Sequence, residues 1–99
     1  MSSKKYDAHR ITDQDDVAVV VRPVLAGELI RVKGEPEDLQ LQAVQDIPPA
    51  HKIALRSLSK GEQVLKYGQC IGDASQDIPV GGHVHVHNLE GRRGRGDIV

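Results

Sequence analysis

Histidines near the end of the chain carry the clearest chemical signal, in the alternating run Gly82-His83-Val84-His85-Val86-His87-Asn88. Strict alternation predicts a β-strand, because successive side chains of a strand point to opposite faces. We therefore expect Val84 and Val86 to enter the core and the three imidazoles to stand together on the other face. Side chains two residues apart on one face are about 6.5–7 Å apart. From that spacing, imidazoles can bind one metal ion or close around an anionic substrate.

A solvated edge strand that happens to use histidine on its polar face is the competing interpretation of this run. A lone histidine would favour that interpretation. Three of the five histidines of the chain fall in this one run, however, and this concentration favours a functional site.

The composition describes the small aliphatic domain that must position these side chains. The chain has 99 residues, no Phe, no Trp and two Tyr, so its core must be built from Val, Ile, Leu and Ala. A chain of this size buries a modest fraction of its surface, and a partner would help to cover a core this thin. The net charge of -1 gives no reason to expect nucleic acid or an anionic membrane as a partner. No apolar run approaches the roughly 18–20 residues of a membrane span.

Cysteine usage indicates the compartment. Cys70 is the only cysteine, so no internal disulfide is possible and a cytoplasmic location is expected. Its apolar neighbours predict a small buried residue rather than a nucleophile.

Short runs of β-branched residues between turn residues predict an all-β fold with at most one or two short helical turns. The clearest strand is Val17–Val21, after Asp15 and Asp16, which we assign to turn chemistry and solubility. The other predicted strands cover 6–10, 29–32, 39–42, 51–55 and 64–68. Ile71-Gly72 is interpreted as a short break. We divide the chain into three parts. Residues 1–13 are an N-terminal flexible segment with the first strand, 14–90 are the domain itself, and 91–99 are a flexible Gly/Arg tail.

An internal echo connects these elements. Asp46-Ile47-Pro48 recurs as Asp77-Ile78-Pro79, and each is soon followed by a histidine-led strand. Ala26-Gly27-Glu28 and Lys60-Gly61-Glu62 are similar turn units, each leading into an apolar strand. Repeated strand–turn–strand units of this kind predict a compact, irregular β fold.

A set of ordered motifs precedes the histidine run, namely His51-Lys52-Ile53-Ala54-Leu55, Gly61-Glu62, Lys66-Tyr67-Gly68, Ile71-Gly72 and Asp77-Ile78. Together with that run, they resemble the small SAF-type domain of the altronate and galactarate dehydratase family, over roughly residues 14–90. The small subunit of (2R)-sulfolactate sulfo-lyase is equally similar in pattern. The resemblance implies a β-clip fold. One departure is Ala50, where many relatives have glycine, and we expect it to tighten the turn before His51.

The function implied by the resemblance is that of a small subunit in a two-part lyase. Together with a large catalytic subunit, it would eliminate water from a small hydroxy acid of the sugar-acid type. The divalent metal of the enzyme would be Fe²⁺ or Mn²⁺. Nucleic acid and membrane are not expected as partners. Elimination of sulfite from (2R)-sulfolactate is the alternative, because no residue separates the two leaving groups. A non-catalytic SAF-type ligand-binding module and a metal-storing or metal-sensing protein stay open as other classes.

Site residues follow from the chemistry of such an elimination. It needs a base for the proton next to the carboxylate, stabilisation of an enediolate-like intermediate and help for the leaving group. An imidazole-bound metal can act as a Lewis acid, and lysines can hold a carboxylate or sulfonate as point charges. The assignments are catalytic for His51, Tyr67 and His85, substrate-binding for Lys52, Lys66 and Asn88, and metal-binding for His83, His85 and His87.

Overall fold

Short strands make up the regular structure of the protein in a computed structural model that describes residues 6–34 and 37–91. The strands of this part are β1 Ala8–His9, β2 Val17–Val20, β3 Leu29–Lys33, β4 Leu39–Gln42, β5 Lys52–Ala54, β6 Gln63–Lys66, β7 Gln69–Ala74, β8 His83–Val84 and β9 Leu89–Glu90. Those residues form no helix, so none there is long and apolar enough to cross a membrane. The all-β prediction is confirmed. Residues 1–5 of the predicted N-terminal flexible segment and residues 92–99 of the predicted Gly/Arg tail lie outside the described residues.

Two sheets share the strand set. The larger has the order β4-β3-β1-β2-β5-β8, and the smaller has the order β6-β7-β9. The first strand, β1, runs parallel to β3 and antiparallel to β2, so it lies inside the larger sheet. Alternate residues of β2 and β5 face two different cores, because neighbouring side chains of a strand point to opposite sides. Ala18 and Ile53 pack in one core, while Val17 and Ala54 pack in the other.

The internal echo of the sequence is a structural duplication. An isolated bridge joins Val24 to Ile47, and its counterpart joins Leu58 to Ile78. Each half also contains an arginine whose guanidinium bonds two carboxylates, in the trios Asp7–Arg22–Glu28 and Asp16–Arg56–Glu62. The Nε–carboxylate distances are 2.8 Å at Arg22 and 2.7 Å at Arg56, so the two clamps are nearly identical.

Four equivalent turns lead into strands of the two halves. Each contains a residue with positive φ, which is 93° at Gly27, 72° at Ala50, 91° at Gly61 and 83° at Gly81. Only glycine adopts this left-handed conformation without a steric cost from Cβ. Ala50, which directly precedes His51, therefore has a backbone strain that the three equivalent glycines do not have.

The longest strand, β7, was missed by the sequence analysis, which interpreted Ile71-Gly72 as a break. Gly72 is buried within the strand, where a Cβ atom would collide with the carbonyl oxygen of Glu90. The glycine thus permits a close backbone approach instead of ending the strand. The predicted burial of Cys70 is also wrong, because this residue lies on the exposed end of the β6–β7 hairpin.

Candidate functional site

The histidine run forms a strand over two residues and then turns. In β8, His83 pairs with Ile53 and Val84 pairs with Lys52. Residues 85–88 form a turn that the side chain of Asn88 closes. Its Oδ1 accepts the backbone N–H of His85 at 3.0 Å, and its Nδ2 donates to the carbonyl oxygen of His83 at 2.8 Å. Asn88 is only 3% exposed, so in this structure the predicted substrate ligand is a residue that positions the histidines.

The prediction that Val84 and Val86 both enter the core is wrong for the second valine. Val84 is fully buried, whereas Val86 is 81% exposed. The turn closed by Asn88 redirects the chain before Val86, and the strand alternation stops there. The three imidazoles of the run therefore do not stand on one face of a continuous strand.

A different contact brings the histidines together. His51 directly precedes β5, which pairs with β8, so its ring reaches the histidine run from the neighbouring strand. Its Nδ1 lies 2.8 Å from Nε2 of His83, and its ring stacks on that of His85 with centroids 3.6 Å apart and planes 12° apart. The ring of His87 lies 4.8 Å from that of His83. We call His51, His83, His85 and His87 the histidine cluster.

Burial and nearby charges lower the pKa of two members of the histidine cluster. Burial lowers the pKa of His83, and the charges of His87, His51, His85 and Lys52 lower it further. The pKa of His85 is lowered in the same way, by burial first and then by His51, Lys52 and His87. Withdrawal from water and nearby positive charge both disfavour an imidazolium. Both side chains are therefore neutral at pH 7 and able to accept a proton.

The histidine cluster does not have the geometry of a metal site. Within residues 6–34 and 37–91, no group of three or more His, Cys, Asp or Glu side chains could hold an ion. Nδ1 of His51 and Nε2 of His83 face each other at hydrogen-bond distance, so one of them carries a proton between them. The rings of His51 and His85 are stacked, and their in-plane lone pairs do not converge. A bound Fe²⁺ or Mn²⁺ stays a prediction that requires further donors.

One polar atom of the cluster has no partner. Nδ1 of His85 is buried and makes no hydrogen bond to any described residue. Leaving a buried nitrogen unsatisfied costs about 1–3 kcal/mol.

The remaining predicted site residues form a separate pocket. Lys52, Lys66 and Tyr67 line a cavity of about 290 Å³, which we call the lysine pocket; its other lining residues are His9, Ile11, Asp15, Val17, Val19, Val21 and Ala50. Lys52 alternates along the chain with His51 and Ile53, so its side chain leaves β5 on the opposite face from theirs. Nζ of Lys66 lies 4.3 Å from the ring centroid of Tyr67. The predicted site is thus divided between two neighbouring places.

Asp15 positions a wall of the lysine pocket, a role that the sequence analysis missed when it assigned this residue to turn chemistry and solubility. Its carboxylate accepts the N–H of Gly68 at 2.9 Å and the hydroxyl of Thr12 at 2.8 Å. Burial alone would raise the pKa of Asp15, but hydrogen bonds from Gly68, Thr12 and Tyr67 outweigh it and hold the pKa below its usual value. Tyr67 and Gly68 both have positive φ, as in a tight hairpin turn. Asp15 therefore holds the turn that carries Tyr67.

The described residues thus form a small all-β domain of duplicated strand units in two sheets. The chain belongs to the family described as the altronate/galactarate dehydratase SAF domain, whose model matches residues 6–92. The resemblance inferred from the ordered motifs is thereby confirmed.

Three relatives show how the chain corresponds to longer and shorter proteins. It is 40% identical over 81 residues to altronate dehydratase of Bacillus subtilis (strain 168), which is 82% of this chain but 16% of that protein. It is 40% identical over 87 residues to (2R)-sulfolactate sulfo-lyase subunit alpha of Chromohalobacter salexigens, covering 84% of this chain and 93% of the relative. The same subunit of Paracoccus pantotrophus is 45% identical over 62 residues, or 63% of this chain and 92% of the relative. These relatives are lyases, and the name subunit alpha indicates a multi-subunit enzyme.

Proposed function

We propose that the chain is the small part of a two-part lyase of the altronate dehydratase family, working with a large catalytic subunit on a small hydroxy acid such as a sugar acid. Family membership over residues 6–92 supports the class of enzyme. The observation that carries the proposal is the hydrogen-bonded pair of His51 and His83 with the ring of His85 stacked beside it. Imidazoles that share a proton and are neutral near pH 7 are suited to act as a general base.

The chemical role of the histidine cluster is to accept the proton next to the substrate carboxylate. Elimination breaks this C–H bond, forms the C=C double bond and expels the leaving group with its electron pair. His85, a neutral imidazole of lowered pKa, is ready to accept that proton, and His51, whose ring stacks on that of His85, is the other candidate. His83 can take up or return a proton through its hydrogen bond to His51. A protonated member of the cluster then delivers a proton to the departing hydroxide, which leaves as water.

Elimination of sulfite from (2R)-sulfolactate is the second candidate. One observation favours it: the identity to the Paracoccus subunit alpha is 45% over 62 residues, whereas the identity to altronate dehydratase is 40% over 81 residues. The proton removed is of the same kind in both reactions. Sulfite departs with the electron pair of the C–S bond and needs no proton to leave. In this reaction the histidine cluster therefore does not have to donate a proton to the leaving group.

The residues of the lysine pocket take no part in the proton transfer of this proposal. Lys52, Lys66 and Tyr67, first assigned to substrate binding and catalysis, line a pocket on the opposite face of β5 from His51. Asn88 acts through the backbone of His83 and His85 rather than on the substrate. The class that competes with this proposal is a non-catalytic ligand-binding module.

Co-expression with the large subunit of a family lyase tests the proposal. We expect a stable complex on size exclusion and turnover of altronate or (2R)-sulfolactate by the complex but not by the chain alone. The two substrates separate the first candidate from the second. A complex that turns over neither acid would favour the ligand-binding module, and the absence of a complex would overturn the subunit assignment.

A further inference from the structure

The lysine pocket contains two lysine cations that form no ion pair with any described carboxylate. Lys52 and Lys66 both line it, and each is half-buried. No ion pair joins either ammonium group to a carboxylate within residues 6–34 and 37–91. The carboxylate of Asp15 also lines the pocket, but backbone N–H groups and the hydroxyl of Thr12 occupy its oxygens.

Placing these two lysines together has an electrostatic cost. Burial lowers the pKa of Lys52, and the nearby charge of Lys66 lowers it further. Like charges beside a partly desolvated ammonium destabilise its protonated form. An anion between the two ammonium groups would cancel the repulsion from Lys66 and offset the effect of burial on Lys52. Binding of an anion is a usual reason for uncompensated cations in a concave site.

The rest of the wall determines what kind of anion fits. Val17, Val19, Val21 and Ile11 contribute hydrocarbon to the wall, and Tyr67 also lines the pocket. Ile11, Val21 and Tyr67 are each about half exposed, so this surface is open to a ligand. Hydroxyl groups of a polyhydroxylated chain would find few hydrogen-bond partners on such walls, and unmet hydrogen bonds weaken binding.

We propose that the lysine pocket binds a small organic acid whose carboxylate or sulfonate lies between Lys52 and Lys66 and whose short, mainly apolar body lies against the valines. The proposal goes beyond the proposed function, which assigns these two lysines no step. It does not require the large subunit or lyase chemistry, because every group of the pocket belongs to this chain. The histidine cluster lies on the other face of β5 and takes no part in it.

Binding is best measured by NMR titration of the full isotope-labelled chain at constant ionic strength. The probes are butanoate and propane-1-sulfonate, with neutral butyramide and polyhydroxylated gluconate as comparators. We expect saturable shifts for the two apolar acids at the amides of Val19, Val21 and residues 66–68. Binding of butyramide and gluconate should be at least about 10-fold weaker, a difference of about 1.4 kcal/mol.

Variants identify the cations that act in binding. Lys52→Gln and Lys66→Gln should each weaken butanoate binding by about 10-fold or more, while Lys66→Arg keeps the charge and should retain it. Lys60→Gln, at an exposed turn outside the pocket, is the matched control and should bind like the wild type. Unchanged amide shifts far from the pocket will show that each variant is folded.

Three results would overturn the proposal: no saturable binding of either apolar acid, equal binding of gluconate and butanoate, or unchanged binding by Lys66→Gln. His83→Gln should leave the titration unaffected, since this residue is outside the pocket. Because the titration uses the chain alone and the lyase assay uses the complex, failure of this proposal and failure of the proposed function are separate results.

Discussion

Nδ1 of His51 lies 2.8 Å from Nε2 of His83, across the pairing of β5 with β8. One of these nitrogens donates its proton to the lone pair of the other, so the two facing positions cannot both be protonated. His85 stacks on His51 and has a buried Nδ1 without a partner among the described residues. His51 and His83 therefore share a proton in one hydrogen bond, and the imidazole of His85 lies beside them.

This arrangement predicts that stability decreases as the pH falls from 7.5 to 5.5. The folded pKa values of His83 and His85 are below the ordinary histidine value of about 6.5. In this range the unfolded chain binds more protons than the folded one, and acid therefore favours unfolding. Urea denaturation at several pH values within the range will measure the effect, above the region in which Asp and Glu titrate.

Two variants make the pH experiment specific. The double variant His83→Gln, His85→Gln should show a flatter dependence of the unfolding free energy on pH. His9→Gln, which removes a histidine outside the cluster, should retain the wild-type slope. A wild-type stability that is constant or rises between pH 7.5 and 5.5 would contradict the lowered pKa values.

The two valines of the histidine run should differ sharply in their tolerance of charge. Val84→Asp places an unpaired carboxylate at a fully buried position and should destabilise the domain by about 3 kcal/mol or more. Val86→Asp, at an exposed turn position, should change stability by less than about 0.5 kcal/mol. Equal losses for the two variants, measured by urea denaturation, would restore the continuous strand that the alternation predicted.

The sequence predicted those elements whose signal is local. Short β-branched runs such as Val17–Val20 form strands on their own propensity, and the duplicated Asp-Ile-Pro units mark equivalent turns. Alternation failed at Val86, because a hydrogen bond from the backbone N–H of His85 to the side chain of Asn88 closes a turn that hydrophobicity does not encode. Gly72 looked like a break, because its reason for being glycine is the distant carbonyl of Glu90.

Tertiary pairing decided the layout of the site. His51 was singled out as catalytic, but its contact with His83 depends on the pairing of two strands far apart in sequence. The same pairing sends Lys52 to the other face, away from the histidines with which it was grouped. Residue types thus indicated the chemistry of the site, whereas the long-range strand register divides its residues between the histidine cluster and the lysine pocket.

Ala50 offers a route to a more stable domain. A φ of 72° destabilises the folded state of an L-residue by about 1–2 kcal/mol. Glycine would remove this strain, but its greater freedom in the unfolded chain would offset part of the gain. Ala50→Gly should therefore stabilise the chain by about 0.5–1 kcal/mol and raise Tm by about 2–6 °C.

The equivalent turns supply the matched controls. Gly61→Ala should destabilise through backbone strain alone, since a Cβ atom there meets nothing within 4 Å. Gly81→Ala should lose more, because its Cβ would collide with the carbonyl oxygen of Gln42. A Tm of Ala50→Gly at or below that of the wild type would show that the left-handed position carries no strain.

The central claim is that the histidine cluster transfers a proton in a two-part lyase, and the most direct measurement is the kcat of the reconstituted complex with altronate and (2R)-sulfolactate. Wild-type chain with its large subunit should turn over one of these acids, while His85→Gln and His51→Gln in the same complex should lower kcat by about 100-fold or more, the usual contribution of a general base. His9→Gln should keep wild-type kcat. Equal turnover by all four complexes would contradict the account.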